Sequence, residues 1–166
     1  MSAFEVRAAT NGDRRPLAEL FAAVAEERDG IATEPPVDVD AYAARWNLTG
    51  CFVAIADGAV VGGINVQPSR HGYGDVGMHV ARSWRGRGVG SALMVRAIAW
   101  ARDEGLHKLS LSVFPHNAGG IALYRKYGFV EEGRRVKQYR RQSGELWDAI
   151  DMGLLLQPQS GRDART

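Results

Sequence analysis

The sequence predicts an α/β fold of the α+β kind, in which one domain holds a mixed, mostly antiparallel sheet of about seven strands flanked by about four helices. Three observations lead there. Strand and helix periods run as strand, two helices, three strands, helix, strand, helix, two strands, an order that does not fit the regular alternation of a doubly wound parallel sheet. Two short glycine turns, Asp57-Gly58 and Ser143-Gly144, join neighbouring strands as hairpins. A chain of 166 residues is long enough for one core that buries roughly two-thirds of the unfolded surface.

The elements follow in order. Phe4, Val6 and Ala8 alternate with Glu5 and Arg7, the period of a half-buried strand. Asp13 is placed to cap a helix with Pro16 in its first turn, and Leu17, Leu20, Phe21 and Val24 recur at helical spacing. Glu34, Pro35, Pro36 and Asp38 break the chain before a short helix over Asp40 to Trp46. Cys51–Ala56 and Val60–Pro68 form a hairpin, and Tyr73–Val80 extends the meander. A helix over Gly88–Glu104 carries Val89, Leu93, Ala97 and Trp100 on one face and stops at Gly105. Lys108–Phe114 is a strand, Asn117–Tyr127 a short helix ended by Gly128, and Phe129–Tyr139 with Leu146–Leu156 the closing hairpin. Residues 1–157 are read as the domain, and 158–166 as a polar, disordered tail. No repeat is found.

Composition narrows the function classes. One cysteine, Cys51, excludes an internal disulfide, and with four scattered histidines it offers no zinc spacing, so no metal is expected. Glu5 and Arg7 interrupt the apolar start, which does not fit a signal peptide, and no run approaches the ~20 apolar residues of a membrane span. The expectation is a soluble, cytoplasmic protein. A formal charge of +2 constrains partners weakly. The one dense basic run, Arg134, Arg135, Lys137, Arg140 and Arg141, reads as the solvated face of an edge strand; only Tyr139 is interleaved with it, which disfavours nucleic acid.

The run Arg85-Gly86-Arg87-Gly88-Val89-Gly90-Ser91 lies between a strand and a long helix, where missing Cβ atoms and the positive end of the helix dipole suit a diphosphate. A tight turn with no ligand is the plain alternative. A nucleoside-triphosphate loop is disfavoured because no lysine followed by serine or threonine closes it. A dinucleotide fold is disfavoured because Ser91 replaces the last glycine and the next strand ends in Val113-Phe114 rather than an acidic ribose ligand.

Downstream stands Asn117-Ala118-Gly119-Gly120-Ile121-Ala122-Leu123-Tyr124-Arg125-Lys126-Tyr127-Gly128-Phe129. Together with the first motif, in which Arg85, Gly88 and Gly90 fill the pattern of arginine or glutamine, two residues, glycine, one residue, glycine or alanine, this chain resembles the GNAT superfamily of acyl-CoA-dependent N-acetyltransferases over nearly its whole length. The resemblance implies that backbone amides from Arg85 to Ser91 hold the pyrophosphate of acetyl-CoA, with the Arg85 and Arg87 side chains adding charge or standing solvated. It implies that the strand ending at Val80 splays from the one beginning near Lys108, so that pantetheine pairs with Met78, His79 and Val80. It also implies that Asn117 hydrogen-bonds CoA, a role shared with plain helix capping, and that Tyr124 protonates the departing thiolate.

Acetyl transfer to an amine also needs a proton acceptor. Asp75 and His79, which alternation places on one face of their strand, and Glu34 in the loop are the candidates, and each has an ordinary surface or packing role as its alternative. Glu34 suits a cationic acceptor, whereas the hairpin arginines suit an anionic one. The acceptor is a primary amine of a small molecule or of a protein. Cys51, on an apolar strand without a basic neighbour, reads as core, which favours direct attack over an acetyl-cysteine route. A non-catalytic acyl-CoA binding module is the rival, and homodimerisation through the last strands is implied by the resemblance.

Overall fold

A computed structural model describes residues 3–157, and the tail expected over 158–166 lies outside them. One seven-stranded sheet has the order β1-β2-β3-β4-β5-β7-β6. Its strands are β1 (Glu5–Ala8), β2 (Cys51–Ala56), β3 (Ala59–Pro68), β4 (Tyr73–Val80), β5 (Lys108–Val113), β6 (Val130–Arg140) and β7 (Leu146–Leu155). The helices are α1 (Arg14–Glu26), α2 (Val39–Arg45), α3 (Val89–Asp103) and α4 (Ala118–Lys126). Every neighbouring pair is antiparallel except β4 and β5, which run parallel.

The core has two layers because β2 buries both faces. Cys51 and Val53 face Leu17 of α1 and Trp46, whereas Phe52, Ala54 and Ala56 face the larger cluster with Val89, Leu93 and Ala97 of α3. The α3 helix sits so close to β3 that a Cβ at Gly62 would stand 2.9 Å from Val89 Cγ1 and 3.1 Å from Leu93 Cδ1. Alanine at Gly62 would push the helix off the sheet.

Two expectations need correction. Asp13 precedes α1 but makes no capping hydrogen bond to it. Its carboxylate accepts instead from Arg7 Nη1 (2.7 Å) and Nη2 (3.0 Å) and from the Thr10 amide (2.7 Å), which ties β1 to the turn before α1. The bidentate arginine is the stronger claim on an acid, and it holds the carboxyl below its usual range. The basic run divides as well. Arg134 and Arg135 are exposed on edge strand β6, paired with Asp148 and Asp151, but Arg141 is only 4% exposed.

The feature that makes room for chemistry is the β4–β5 joint. These strands pair only at Tyr73–Lys108, Gly74–Leu109 and Asp75–Ser110. Beyond Asp75 they diverge, while β4 stays paired to β3 as far as Val80 and β5 to β7 as far as Val113. The splay expected from the resemblance is present.

Candidate active site

The glycine turn stands at the rim of this splay. Gly86 and Gly88 adopt φ of +71° and +88°, a region that costs other residues about 1–2 kcal/mol, and nothing lies within 4 Å of where a Cβ would stand at either. Gly88 is the N-cap of α3, so the free first-turn amides of a 15-residue helix point out beside the turn. The turn, Trp84 and the start of α4 at Asn117–Gly120 line a groove of about 600 Å³.

The two arginines of the turn are already engaged. Arg85 Nη1 and Nη2 donate to the Glu27 carboxylate at 2.7 Å each, and its Nε donates to the Val80 carbonyl at 3.0 Å. This fork locks the end of α1 to the end of β4 and holds the Glu27 carboxyl below its ordinary range. Arg87 stacks its guanidinium 4.2 Å over the Trp84 ring. With these side chains engaged, the groups of the turn left facing the groove are its backbone amides. Ser91 takes a 3.4 Å contact from Lys126 Nζ on α4.

A second cavity of about 200 Å³ lies on the other side of the splay, walled by α1, the segment 30–32, Trp46, β4, β5 and Tyr139. Six residues line both spaces: Gly30, Ile31, Met78, His79, Asn117 and Tyr124. The groove and the cavity thus meet at the β4 segment and the α4 tyrosine singled out from the sequence.

Each junction residue has a distinct chemistry. Tyr124 packs against Phe129 at 5.9 Å between centroids, its hydroxyl has no hydrogen-bond partner among the described residues, and burial raises its phenol above the ordinary value. Asn117 caps α4, its Oδ1 accepting from the Gly120 amide at 2.9 Å. Its side-chain NH₂ remains beside the junction. His79 is 8% exposed among Phe21, Trp46 and Leu17; burial lowers its imidazole to about 4, opposed by the Leu17 carbonyl. It is neutral at pH 7, and its Nε2 has no partner among the described residues.

The structure does not bring Asp75 or Glu34 to this junction, since neither lines the groove or the cavity. Asp75 is exposed at the base of the splay, opposite Gln67 and Ser110. Glu34 accepts from the Gln142 amide at 2.8 Å and lies 3.7 Å from Arg141 Nε and 3.9 Å from Arg28 Nη1. Arg141 in turn donates from Nη1 to the Ala32 carbonyl at 2.8 Å, with Nη2 at 3.4 Å from the carbonyls of Arg28 and Ile31, and its guanidinium lies 4.4 Å over Trp147. The opposite charges that pointed to opposite acceptors are spent on each other, clamping the α1–α2 loop to the β6–β7 hairpin. Cys51 is 1% exposed, and burial pushes its thiol to about 12.

Sequence reasoning missed the aromatic lining from Phe21, Trp46, Phe114 and Tyr139, the clamp at Arg141, and Trp84. Only Trp84 carried a local signal, an aromatic ring next to the glycine turn.

A splayed sheet with a single parallel joint, a glycine turn at its rim and a tyrosine across the cleft defines an acyltransferase-type architecture. The family model of the acetyltransferase (GNAT) family matches residues 17–129, and the chain belongs to that family. It is 40% identical over 109 residues to the L-amino acid N-acetyltransferase AaaT of Escherichia coli, a match covering 61% of this chain and 65% of AaaT, under two thirds of that protein's length. It is 30% identical over 149 residues to an aminoglycoside N(6')-acetyltransferase type 1 of Stenotrophomonas maltophilia, covering 84% of this chain and 94% of that protein. The yncA structure of Salmonella typhimurium, solved with its cofactor acetyl-CoA, shares the fold with a TM-score of 0.85 at 24% identity, covering 98% of this chain and 99% of that one. Among the described residues no helix is long and apolar enough to cross a membrane.

Proposed function

We propose that this protein transfers the acetyl group of acetyl-CoA to a primary amine by direct attack. The observation that carries the reading is the meeting of two spaces, a groove beside an amide-rich turn and a smaller, partly open cavity, at Met78, His79, Asn117 and Tyr124. The turn fits the cosubstrate because its glycines leave the space around the backbone open, so that amides can approach phosphate oxygens. Acetyl-CoA supplies an activated acyl thioester.

The residues of the chain do the rest. Residues 85–91 hold the diphosphate through backbone amides, and the unpaired edge of β4 past Asp75 orients the chain that follows. The amine nitrogen forms the new N–C bond as the C–S bond breaks, and the Tyr124 phenol gives its proton to sulfur. The phenol suits this because burial keeps it neutral and no neighbour holds its hydroxyl. The proton lost by the amine restores the phenol, so the sum is amide and free thiol. Neutral His79 and the Asn117 amide border the site of attack. Cys51 takes no part, and the chain's own residues supply the acid without a metal.

The lone buried Cys51 supports a cytoplasmic setting, and the exposed β6 edge, with Val130 and Val136 on it, supports a homodimer. The test of the activity is release of CoA thiol from acetyl-CoA in the presence of an amine panel. Tyr124→Phe should lower turnover about 100-fold with acetyl-CoA affinity unchanged. Full turnover in that variant would remove the phenol from the mechanism, and silence with bound acetyl-CoA would favour a binding module.

A further inference from the structure

Given that reading, the 200 Å³ cavity is the acceptor side, and its lining is unusual in one respect: no aspartate, glutamate, lysine or arginine contributes to it. Phe21, Trp46, Leu111 and Phe114 share its walls with the uncharged polar side chains of Asn65 and Ser112. The titratable groups among the remaining lining residues include His79, Tyr42 and Tyr124, all neutral at pH 7: burial lowers His79 to about 4, raises Tyr42 to about 12, and raises Tyr124. The nearby charges stand behind the lining and are paired there: Glu34 with Arg28 and Arg141, the latter also donating to the Ala32 carbonyl, and Asp151, which accepts from Ser112, with Arg135.

We infer that this chamber selects a primary amine carried one or two carbons from a single uncharged ring, or from a branched aliphatic group of the same bulk. Solvation and size set this preference. A second ammonium or a carboxylate drawn into the chamber gives up part of its water and meets no opposite charge on the lining, which hydrophobic contact does not offset. An apolar body loses nothing polar and gains contact with aromatic faces. An apolar cavity of ~150 Å³ holds benzene, so the volume here matches one ring with a short arm, and a multi-ring sugar would leave most of its body outside. The attacking amine enters uncharged, which is also its nucleophilic form. Two sources share this chemistry, a free arylalkylamine and an α-amino acid with an apolar side chain, and the second keeps its carboxylate at the chamber mouth.

The experiment is kcat/KM, by thiol release at fixed saturating acetyl-CoA, for 2-phenylethylamine, L-phenylalanine, isopentylamine, cadaverine, spermidine, L-glutamate and an aminoglycoside. Ring and branched amines should exceed the polycations and glutamate by ~100-fold or more. The first two distinguish the two sources. Asn65→Asp places a charge on the lining with little change of shape. It should shift the cadaverine to 2-phenylethylamine ratio ~10-fold or more toward the diamine, with acetyl-CoA binding retained. Equal or better turnover of spermidine, L-glutamate or the aminoglycoside overturns the selectivity while leaving the transferase standing. Failure of every amine with acetyl-CoA bound overturns the transferase reading and this inference with it. An unchanged ratio in folded Asn65→Asp also counts against the chamber.

Discussion

Replacing Arg141 with methionine removes a buried cation but keeps most of its apolar stem. The guanidinium makes a 2.8 Å hydrogen bond to the Ala32 carbonyl, two weaker contacts at 3.4 Å, an ion pair to Glu34 at 3.7 Å and a stack 4.4 Å over Trp147. A charged hydrogen bond contributes about 1.5–3 kcal/mol and a desolvated cation–π stack about 2 kcal/mol. Methionine packing against the two rings returns part of this. The Glu34 carboxylate, 12% exposed, keeps only the Gln142 amide and the distant Arg28 as partners. The net loss should be about 3 kcal/mol, within the range seen when one member of a buried pair is removed. Urea denaturation reads it directly, and the thermal midpoint should fall by ~6–12 °C. Glu34→Gln should lessen the cost by about 1 kcal/mol in a double-mutant cycle, because the orphaned charge is gone. Since Arg141 holds the segment 30–32 of the acceptor wall, KM for the amine should rise while acetyl-CoA affinity holds. A loss under about 1 kcal/mol, or strict additivity with Glu34→Gln, would refute the clamp. Arg134→Met, drawn from the same run but exposed, should leave the midpoint where it is.

Other outcomes follow from the same geometry. His79, lowered to about 4 from 6.5, is neutral in the folded chain, so the unfolded state binds the extra proton and stability is complete above pH 6.5 and lost as pH falls toward 4. At pH 5 this amounts to about 2 kcal/mol, which urea titrations at pH 7.5 and 5 should show for the wild type and not for His79→Phe. Gly88→Ala meets no atom within 4 Å but must hold φ of +88°, so it should cost about 1–2 kcal/mol and weaken acetyl-CoA about tenfold in calorimetry. Unchanged affinity would place the diphosphate elsewhere. Cys51, at 1% exposure with its thiol near 12, should resist a thiol reagent in the native protein at pH 8, and Cys51→Ala should retain turnover. A large loss of turnover in that variant would argue for an acetyl-cysteine route.

What could be read from the sequence was local. Alternation, helical spacing and glycine turns each act within a few residues, so the order of elements and the strand limits near Tyr73, Val80 and Lys108 were legible. The turn at 85–91 and Tyr124 were marked by spacing that depends on one strand–helix junction and one short helix. The acceptor chamber had no such marker, because Trp46, Val76, Phe114 and Tyr139 come from four stretches that only the folded sheet assembles. Arg141 looked like its neighbours because a basic run reads as solvated. The strand ends at Arg140, and the next side chain turns inward under the α1–α2 loop. Asp13 stood where a cap belongs, and an arginine six residues earlier, on the preceding strand, could not be weighed against it; folding brings Arg7 alongside at 2.7 Å.

Among the described residues, the three rungs at Tyr73, Gly74 and Asp75 are the only place where the two antiparallel halves of the sheet are stitched together. From Asp75 to Val80 the strand travels ~17 Å at the usual rise per residue. A tilt of ~5° at the stitching therefore carries the Val80 end ~1.5 Å, half the length of a hydrogen bond, by simple leverage over that reach. The width of the cleft is thus governed from its far end, where Gly74 lies so tight that a Cβ would stand 2.6 Å from Val66 Cγ1 and 3.0 Å from Leu106 Cδ1. A methyl group added at that pivot, remote from every reacting atom, would reset the spacing between donor and acceptor.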